Sequence, residues 1–280
     1  MTGGTIATLL DEGARALAQA ALGGDPALLD AQLLLAHVLA LPRVRLHSHA
    51  EAPVGAAQTQ RYRELIARRA AGEPLAYLTG RREFWSLDLM VSSAVLIPRP
   101  ETELLVERGL ELVPRAEARA ADLGTGSGAL ALALAHERPR WRLLATDLSE
   151  AALALARANA AALGLTRVEF VAGSWLEPLA GARFDLIVSN PPYVAADDPA
   201  LAALRFEPRA ALTPGADALA CLRLLARGAA AHLVPGGWLL LEHGATQGAA
   251  LRDELVAAGF AHVRSHRDLA GHERMTEGQR

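Results

Sequence analysis

Phe184-Asp185-Leu186-Ile187-Val188-Ser189-Asn190-Pro191-Pro192-Tyr193 is the stretch from which the rest of the chain can be read. Its first half is a short apolar run, β-branched and bounded by turn residues, the pattern of a buried parallel strand. Asn190 therefore falls where a strand ends and a loop begins, the position at which open α/β sheets hold their ligands. Two consecutive prolines fix φ and remove two N–H donors, and each pushes the residue before it towards extended geometry. The loop is rigid and offers backbone carbonyls, one side-chain amide and one aromatic ring. Such a set suits a planar group with N–H donors: an amide –NH2, or the exocyclic amino group of a base. Taken alone, Asn-Pro-Pro-Tyr also describes a plain tight turn.

From residue 118 onward, strands and helices alternate. Ala120-Ala121-Asp122-Leu123 ends a strand, and Gly124-Thr125-Gly126-Ser127-Gly128 turns into a helix over 129–136. Residues 141–146 read as a strand ending on Asp147, 151–163 as a helix and 168–171 as a strand. Beyond the opening stretch, 219–233 reads as helix, 238–242 as strand and 247–258 as helix, with two edge strands around 262–266 and 274–277. This rhythm means a parallel, doubly wound α/β sheet.

Gly124, Gly126 and Gly128 let backbone approach a ligand at a strand's carboxyl end, beside a helix N-terminus. The third glycine comes one residue too early for the G-x-G-x-x-G fingerprint. Asp147 stands where a carboxylate meets the two hydroxyls of a ribose, which points to a nucleoside without saying which. A capping acid is its structural alternative. Trp175, in Gly173-Ser174-Trp175, fits either the cover of an adenine ring or a surface position. Glu242-His243 at the next strand end suits acid–base chemistry or a structural histidine.

Residues 6–71 repeat apolar positions at helical spacing, among them Leu9, Leu10, Ala14 and Leu17, then Leu28, Leu29, Leu33, Leu34, Val38 and Leu39. Gly23-Gly24-Asp25-Pro26 ends one helix and opens the next, with Asp25 as cap and Pro26 at the first helical position. Residues 61–71 read as a further helix. His37, His47 and His49 show no metal-ligand pattern, so this is a helical module for contact. Aromatics and partial alternation over 78–91 indicate a β-hairpin joining two domains. Ile97-Pro98-Arg99-Pro100-Glu101-Thr102-Glu103 then marks a helix start. Residues 98–103 are either a linker and cap or one wall of a cofactor pocket.

The 280 residues are 51% hydrophobic with a net charge of −3, which fits a globular protein of one large or two modest domains. This balance does not favour a strongly electrostatic nucleic-acid binder. All 28 basic residues are Arg, a compositional bias, and the single Cys221 excludes an intrachain disulfide or a multi-cysteine metal site. The start, Met1-Thr2-Gly3-Gly4-Thr5, lacks a basic leader segment, and no uncharged apolar run approaches ~18 residues. A cytoplasmic protein without membrane, metal or direct nucleic-acid partner is expected, and a monomer, since no long exposed apolar stripe is evident.

Together these residues resemble the class I S-adenosylmethionine-dependent methyltransferases, and Asn-Pro-Pro-Tyr is similar to the motif of amino-group methylators acting on glutamine amides, adenine or guanine. Thr79-Gly80-Arg81-Arg82-Glu83-Phe84-Trp85, residues 97–103, Phe206-Glu207-Pro208-Arg209-Ala210-Ala211-Leu212 and Leu239-Leu240-Leu241-Glu242-His243-Gly244 resemble the release-factor glutamine N5-methyltransferase (PrmC/HemK) family. The resemblance implies a Rossmann-like doubly wound sheet of seven strands, the last antiparallel. It also implies three parts: a helical substrate-docking domain over 1–73, a β-hairpin linker over 74–100 and a methyltransferase domain over 101–280. By the same resemblance, Gly124, Thr125, Gly126, Ser127, Gly128 and Asp147 hold the methionine part and ribose of S-adenosylmethionine, and Trp175 contacts its adenine end. Asn190 bridges cofactor and substrate, and Asn190, Pro191, Pro192 and Tyr193 grip the substrate amide. The implied substrate is the glutamine of the Gly-Gly-Gln motif in class 1 peptide chain release factors. Rival readings are glutamine methylation of a ribosomal protein, a DNA or RNA amino-methyltransferase, and a non-catalytic binding module that keeps the fold.

Overall fold

The computed structural model describes residues 4–20 and 27–280, so the helix break expected at Gly23-Gly24-Asp25-Pro26 lies outside the described residues. The chain divides after Gly80 into two compact units. The first is helical: α1 (Ile6–Gln19), α2 (Ala27–Leu39), α3 (Arg43–Ser48), α4 (Ala56–Ala70) and α5 (Leu75–Thr79). Thr5 and Thr8 form a reciprocal capping box that satisfies two backbone donors at the start of α1. Leu9, Leu17, Leu34, Leu35, Tyr62 and Leu65 are buried at the centre of this unit, whereas Leu28 and Leu29, on the expected apolar stripe, are exposed. Gly13 lets α1 close on α4, since a Cβ there would overlap the Tyr62 hydroxyl.

The second unit opens with the hairpin β1 (Arg81–Phe84) and β2 (Leu87–Met90). Its two-residue turn has positive φ at both Trp85 and Ser86, a geometry normally left to Asn-Gly. Carboxylates hold it instead: Glu103 accepts the Trp85 N–H at 2.9 Å, Glu83 the Ser86 N–H at 2.6 Å and Glu137 the indole N–H at 2.8 Å.

Then follow α6 (Glu103–Leu112), β3 (Arg119–Leu123), α7 (Ala129–Glu137), β4 (Arg142–Asp147), α8 (Glu150–Ala162), β5 (Val168–Ala172) and β6 (Phe184–Ser189). After β6 come α9 (Ala200–Ala203), α10 (Arg209–Leu212), α11 (Ala220–Gly228), β7 (Leu233–Glu242), α12 (Gly248–Ala257), β8 (Ala261–Arg267) and β9 (Glu273–Gln279). The seven-stranded sheet runs β5-β4-β3-β6-β7-β9-β8, and β9, the last in the chain, is antiparallel to both its neighbours.

Side chains alternate between faces as a pleat requires. Ala120, Leu186, Val188 and Leu240 join the core beneath α6, α7 and the hairpin, and Leu123, Ile187, Leu239 and Leu241 the core beneath α11 and α12. Gly109 brings α6 tightly onto β6: a Cβ there would sit 2.9 Å from Leu186 Cδ2. The packing puts the start of α6 over the carboxyl ends of β6 and β7.

Two expectations are corrected. Residues 274–277 form no edge strand, because β9 lies between β7 and β8 with Met275, Thr276 and Glu277 buried. Its polar side chains are paired from both flanks, Thr276 with His243 and Ser265, Glu277 with Arg108 and His266. The helix read over 219–233 stops at Gly228, passes through a 3-10 turn, and becomes strand at Leu233.

Candidate active site

The glycine loop is shaped by backbone. Gly124, Gly126 and Gly128 have φ of 74°, 57° and 87°, in the left-handed region that costs a side-chain-bearing residue about 1–2 kcal/mol. Thr146 O accepts the Gly124 and Thr125 N–H groups at 2.9 and 2.8 Å, tying the loop to the end of β4. Asp147 Oδ2 accepts the Gly126 N–H at 2.9 Å and Oδ1 the Ser149 N–H at 2.8 Å, which leaves lone pairs on both oxygens. A Cβ on Gly126 would meet nothing within 4 Å, whereas one on Gly128 would press on Leu132 and Ala156. Gly126 thus faces open space, and Gly128 faces packing.

This loop walls a cavity of about 480 Å³, of the size that takes a small-molecule cofactor. Gly124, Thr125, Gly126, Ser127, Asp147, Trp175, Asn190 and Pro192 all line it, whereas Gly128, Pro191 and Tyr193 do not. Trp175 adopts a φ of 45°, rare for so bulky a residue, and its ring covers Gly124, 3.4 Å from where a Cβ would lie. Leu96 and Pro98 form part of a further wall with Pro208, Ala210 and Ala211. Glu207 clips these two segments together, accepting the Ile97 N–H at 3.0 Å and pairing with Arg99.

Two cavity-lining residues, Asp122 and Leu148, were not singled out by the sequence reading. Asp122 lines the cavity while 1% exposed. Its Oδ2 accepts from the Thr125 hydroxyl at 2.5 Å and the Ala131 N–H at 3.2 Å, but its Oδ1 has no partner among the described residues. Burial pushes its carboxyl up to about 7, the two hydrogen bonds oppose this, and Asp147 adds to it. Leu148, exposed beside Asp147, also lines the cavity. The signal for Asp122 was an acid inside an apolar strand, two residues before the first glycine.

Asn190 follows the end of β6, and its Nδ2 donates to Thr102 Oγ1 at 3.2 Å. Thr102 Oγ1 donates in turn to Glu242 Oε2 at 2.6 Å, and the Tyr193 hydroxyl donates to Glu242 Oε1 at 3.1 Å. Tyr193 is therefore turned to Glu242, not into the cavity. Its backbone carbonyl accepts from Gln247 Nε2 at 3.0 Å, and Gln247 Oε1 accepts the Gly244 N–H at 2.8 Å. Burial and the neighbouring carboxylate raise the Tyr193 phenol above its ordinary range. His243, fully buried, pairs with Gly244 O and Thr276 Oγ1, both at 2.9 Å, and burial lowers its pKa. It is a structural histidine facing away from the cavity chemistry.

Residues 8–80 match the family described as the PrmC N-terminal domain, and residues 100–250 the family described as methyltransferase small domain. A release factor glutamine methyltransferase of Xylella fastidiosa strain Temecula1 is 55% identical over 253 residues, 89% of this chain and 92% of the relative. The Pseudomonas aeruginosa protein of the same description is 50% identical, covering 90% and 92%. The chain belongs to the release factor glutamine methyltransferase family.

Among solved structures, a methyltransferase from Pyrococcus furiosus superposes with a TM-score of 0.54 at 20% identity, covering 76% of this chain and 96% of that one, a likeness of fold. In this family member the cavity suits a nucleoside-bearing cation. Two carboxylates, one with an orphaned buried oxygen, face a glycine loop with open space at Gly126, between the apolar Trp175 and Leu148. No cluster of His, Cys, Asp and Glu suited to a metal ion occurs among the described residues, and no helix among them is long and apolar enough to cross a membrane.

Proposed function

We propose that the chain methylates the side-chain amide nitrogen (N5) of the glutamine in the Gly-Gly-Gln motif of class 1 peptide chain release factors. The observation that carries this is the Asn190 amide at the cavity wall, with Nδ2 engaged by Thr102 and no donor to Oδ1 among the described residues. S-adenosylmethionine, when bound, supplies a methyl group on a positively charged sulfonium. Asp122 and Asp147 provide the negative wall that such a ligand needs, and Asp147 keeps lone pairs for ribose hydroxyls. Gly124, Thr125, Gly126 and Ser127 allow close approach, and Trp175 and Leu148 offer apolar cover for a base.

An amide nitrogen is a poor nucleophile, because its lone pair is delocalised into the carbonyl. Asn190 Oδ1 accepts one N–H of the substrate amide, and the Pro191 carbonyl accepts the other. Held so, the nitrogen is aimed into the cavity, the two acceptors favour the positive charge that develops on it, and loss of one of its N–H protons then gives the neutral methylated amide. Positioning of this kind is worth ~7–11 kcal/mol, and acceptors preset for the transition state add to it. The rigid Pro191-Pro192 pair keeps the acceptors in place without reorganisation. The helical unit serves to dock the release factor.

The test is methyl transfer from labelled cofactor to purified release factor, beside the same factor with its Gly-Gly-Gln glutamine changed to alanine. Label on the unaltered factor alone supports the proposal. Label on neither factor, with label on a ribosomal protein, rejects it.

A further inference from the structure

We propose that Glu242, acting through Thr102, is the positioning residue that decides which way round the Asn190 amide stands. This rests on the reading of Asn190 as the residue that grips the substrate amide. Glu242 ends β7 on the face it shares with Leu240 and is 1% exposed. Among the described residues, those that donate to it are Thr102 and Tyr193, both neutral hydroxyls. A buried carboxylate without a cation in its hydrogen-bond shell is costly to fold, so its service lies elsewhere. Thr102 points the same way. It occupies the cap position of α6, yet its hydroxyl makes no cap hydrogen bond, forgoing the usual use of threonine there. That hydroxyl lies between Asn190 and Glu242, residues 88 and 140 positions away in sequence.

Proton counting makes this chain one-way. An ionised carboxylate only accepts, and a hydroxyl has a single proton. Thr102 gives that proton to Glu242, so towards Asn190 it can only accept. The N–H side of the Asn190 amide must then face Thr102, which leaves Oδ1 for the substrate. With a neutral group at 242 that donates to Thr102, the hydroxyl turns its proton towards Asn190 and the opposite amide orientation becomes favoured. The carboxylate thus sets polarity two residues away. Burial pushes Glu242 up to about 7; the Thr102 and Tyr193 bonds oppose this, Glu101 adds to it, and Arg274 opposes it. The ionised form is gained as pH rises through that region, and the productive orientation with it.

Four proteins test this: the wild type, Glu242→Gln, Thr102→Val, and Thr102→Ser, which keeps the hydroxyl. Thr102→Val and Glu242→Gln are expected to lower kcat by about 10²-fold with cofactor Kd, measured by calorimetry, unchanged; Thr102→Ser stays within about threefold of wild type. Wild-type kcat rises with pH through about 7, and Glu242→Gln loses that limb. Near-wild-type kcat in both disruptive variants, or a loss that merely follows lost cofactor binding, overturns the proposal. So does a limb that survives in Glu242→Gln, which would then belong to Asp122. Orientation is also read without turnover, from the Asn190 side-chain amide resonances, identified by their loss in Asn190→Asp. They shift with pH near 7 in wild type and not in Glu242→Gln. A flat wild-type titration sinks the inference even if release factors are methylated. A titration as expected in an enzyme that labels no release factor upholds the network and rejects the substrate reading.

Discussion

The glycine-loop wall and the Asn190 wall of the cavity are held by different kinds of bond. On the first, positive-φ glycines and backbone N–H groups are fastened to Thr146 and Asp147. On the second, Asn190, Thr102, Glu242 and Tyr193 are joined side chain to side chain. A backbone-built wall takes its shape from φ angles and amide geometry. A wall built from hydroxyls and a carboxylate has a direction, and the proton inventory sets it. Each wall hides one buried acid, Asp122 or Glu242, and both are pushed up to about 7 by burial.

The largest effect is expected from Asn190→Ala. It is expected to cut kcat by about 10³-fold while cofactor affinity, assigned chiefly to the other wall in the proposed function, stays within about threefold. Near-full turnover with cofactor bound would show that Asn190 does not carry the amide.

A second measurement addresses what the walls share. Asp122 and Glu242 have folded-state pKa values raised above the unfolded 3.8 and 4.5. Between those values and about 7 the folded chain holds more protons, so stability falls as pH rises through the window. The loss is about 3 to 4 kcal/mol per acid. His243 acts oppositely below 6.5, where its lowered pKa makes stability rise with pH. Urea unfolding at pH 5 and pH 8 is therefore compared with Asp122→Asn and Glu242→Gln, each of which should remove its own share of the decline. An unchanged decline in both variants would mean that neither acid titrates in this window.

Asp147→Ala sharpens the contrast on the backbone side. It leaves the Gly126 and Ser149 N–H groups without their acceptor and should weaken cofactor binding by about 10- to 100-fold. At saturating cofactor, kcat is expected to be largely kept. A kcat loss larger than the Kd loss would mean the loop also shapes the acceptor side.

The smallest effect is expected from Glu207→Gln, which keeps an acceptor for the Ile97 N–H and weakens the Arg99 pair. A rise of about two- to fivefold in KM for release factor, with kcat unchanged, is the predicted result. Titration of initial rates against release factor checks it, and an unaltered KM would show that the clip is not felt at the substrate site.

Much of the fold was legible from local pattern. The strand–loop–helix at residues 120–136 and the strand ending at Ser189, just before Asn190, are where periodicity and turn residues placed them, because a buried parallel strand needs a continuous apolar run. Thr102 read as part of a helix start and Glu242 as an acid beside a histidine, and nothing in either segment says that they meet. Residues 274–277 read as an edge because Arg, Thr and Glu look solvated. Their burial depends on His243, Ser265, Arg108 and His266 arriving from other elements. The turn at Trp85-Ser86 carries no Asn-Gly signal, since the nearby Glu83 and the remote Glu103 and Glu137 stabilise it.

The order of residues therefore settles what each segment can do alone: the βα rhythm, the rigidity of Asn-Pro-Pro, the flexibility of the glycine loop and the types of chemical group available. Period, propensity and turn geometry act over a few neighbouring residues, so they can be read along the chain. Folding settles which groups become partners and which way their protons point. Asn190, Thr102 and Glu242 meet because α6 packs over the ends of β6 and β7, and burial moves Asp122 and Glu242 to about 7. Hydrogen-bond polarity and desolvation are properties of surroundings, and surroundings exist only once the chain has closed on itself.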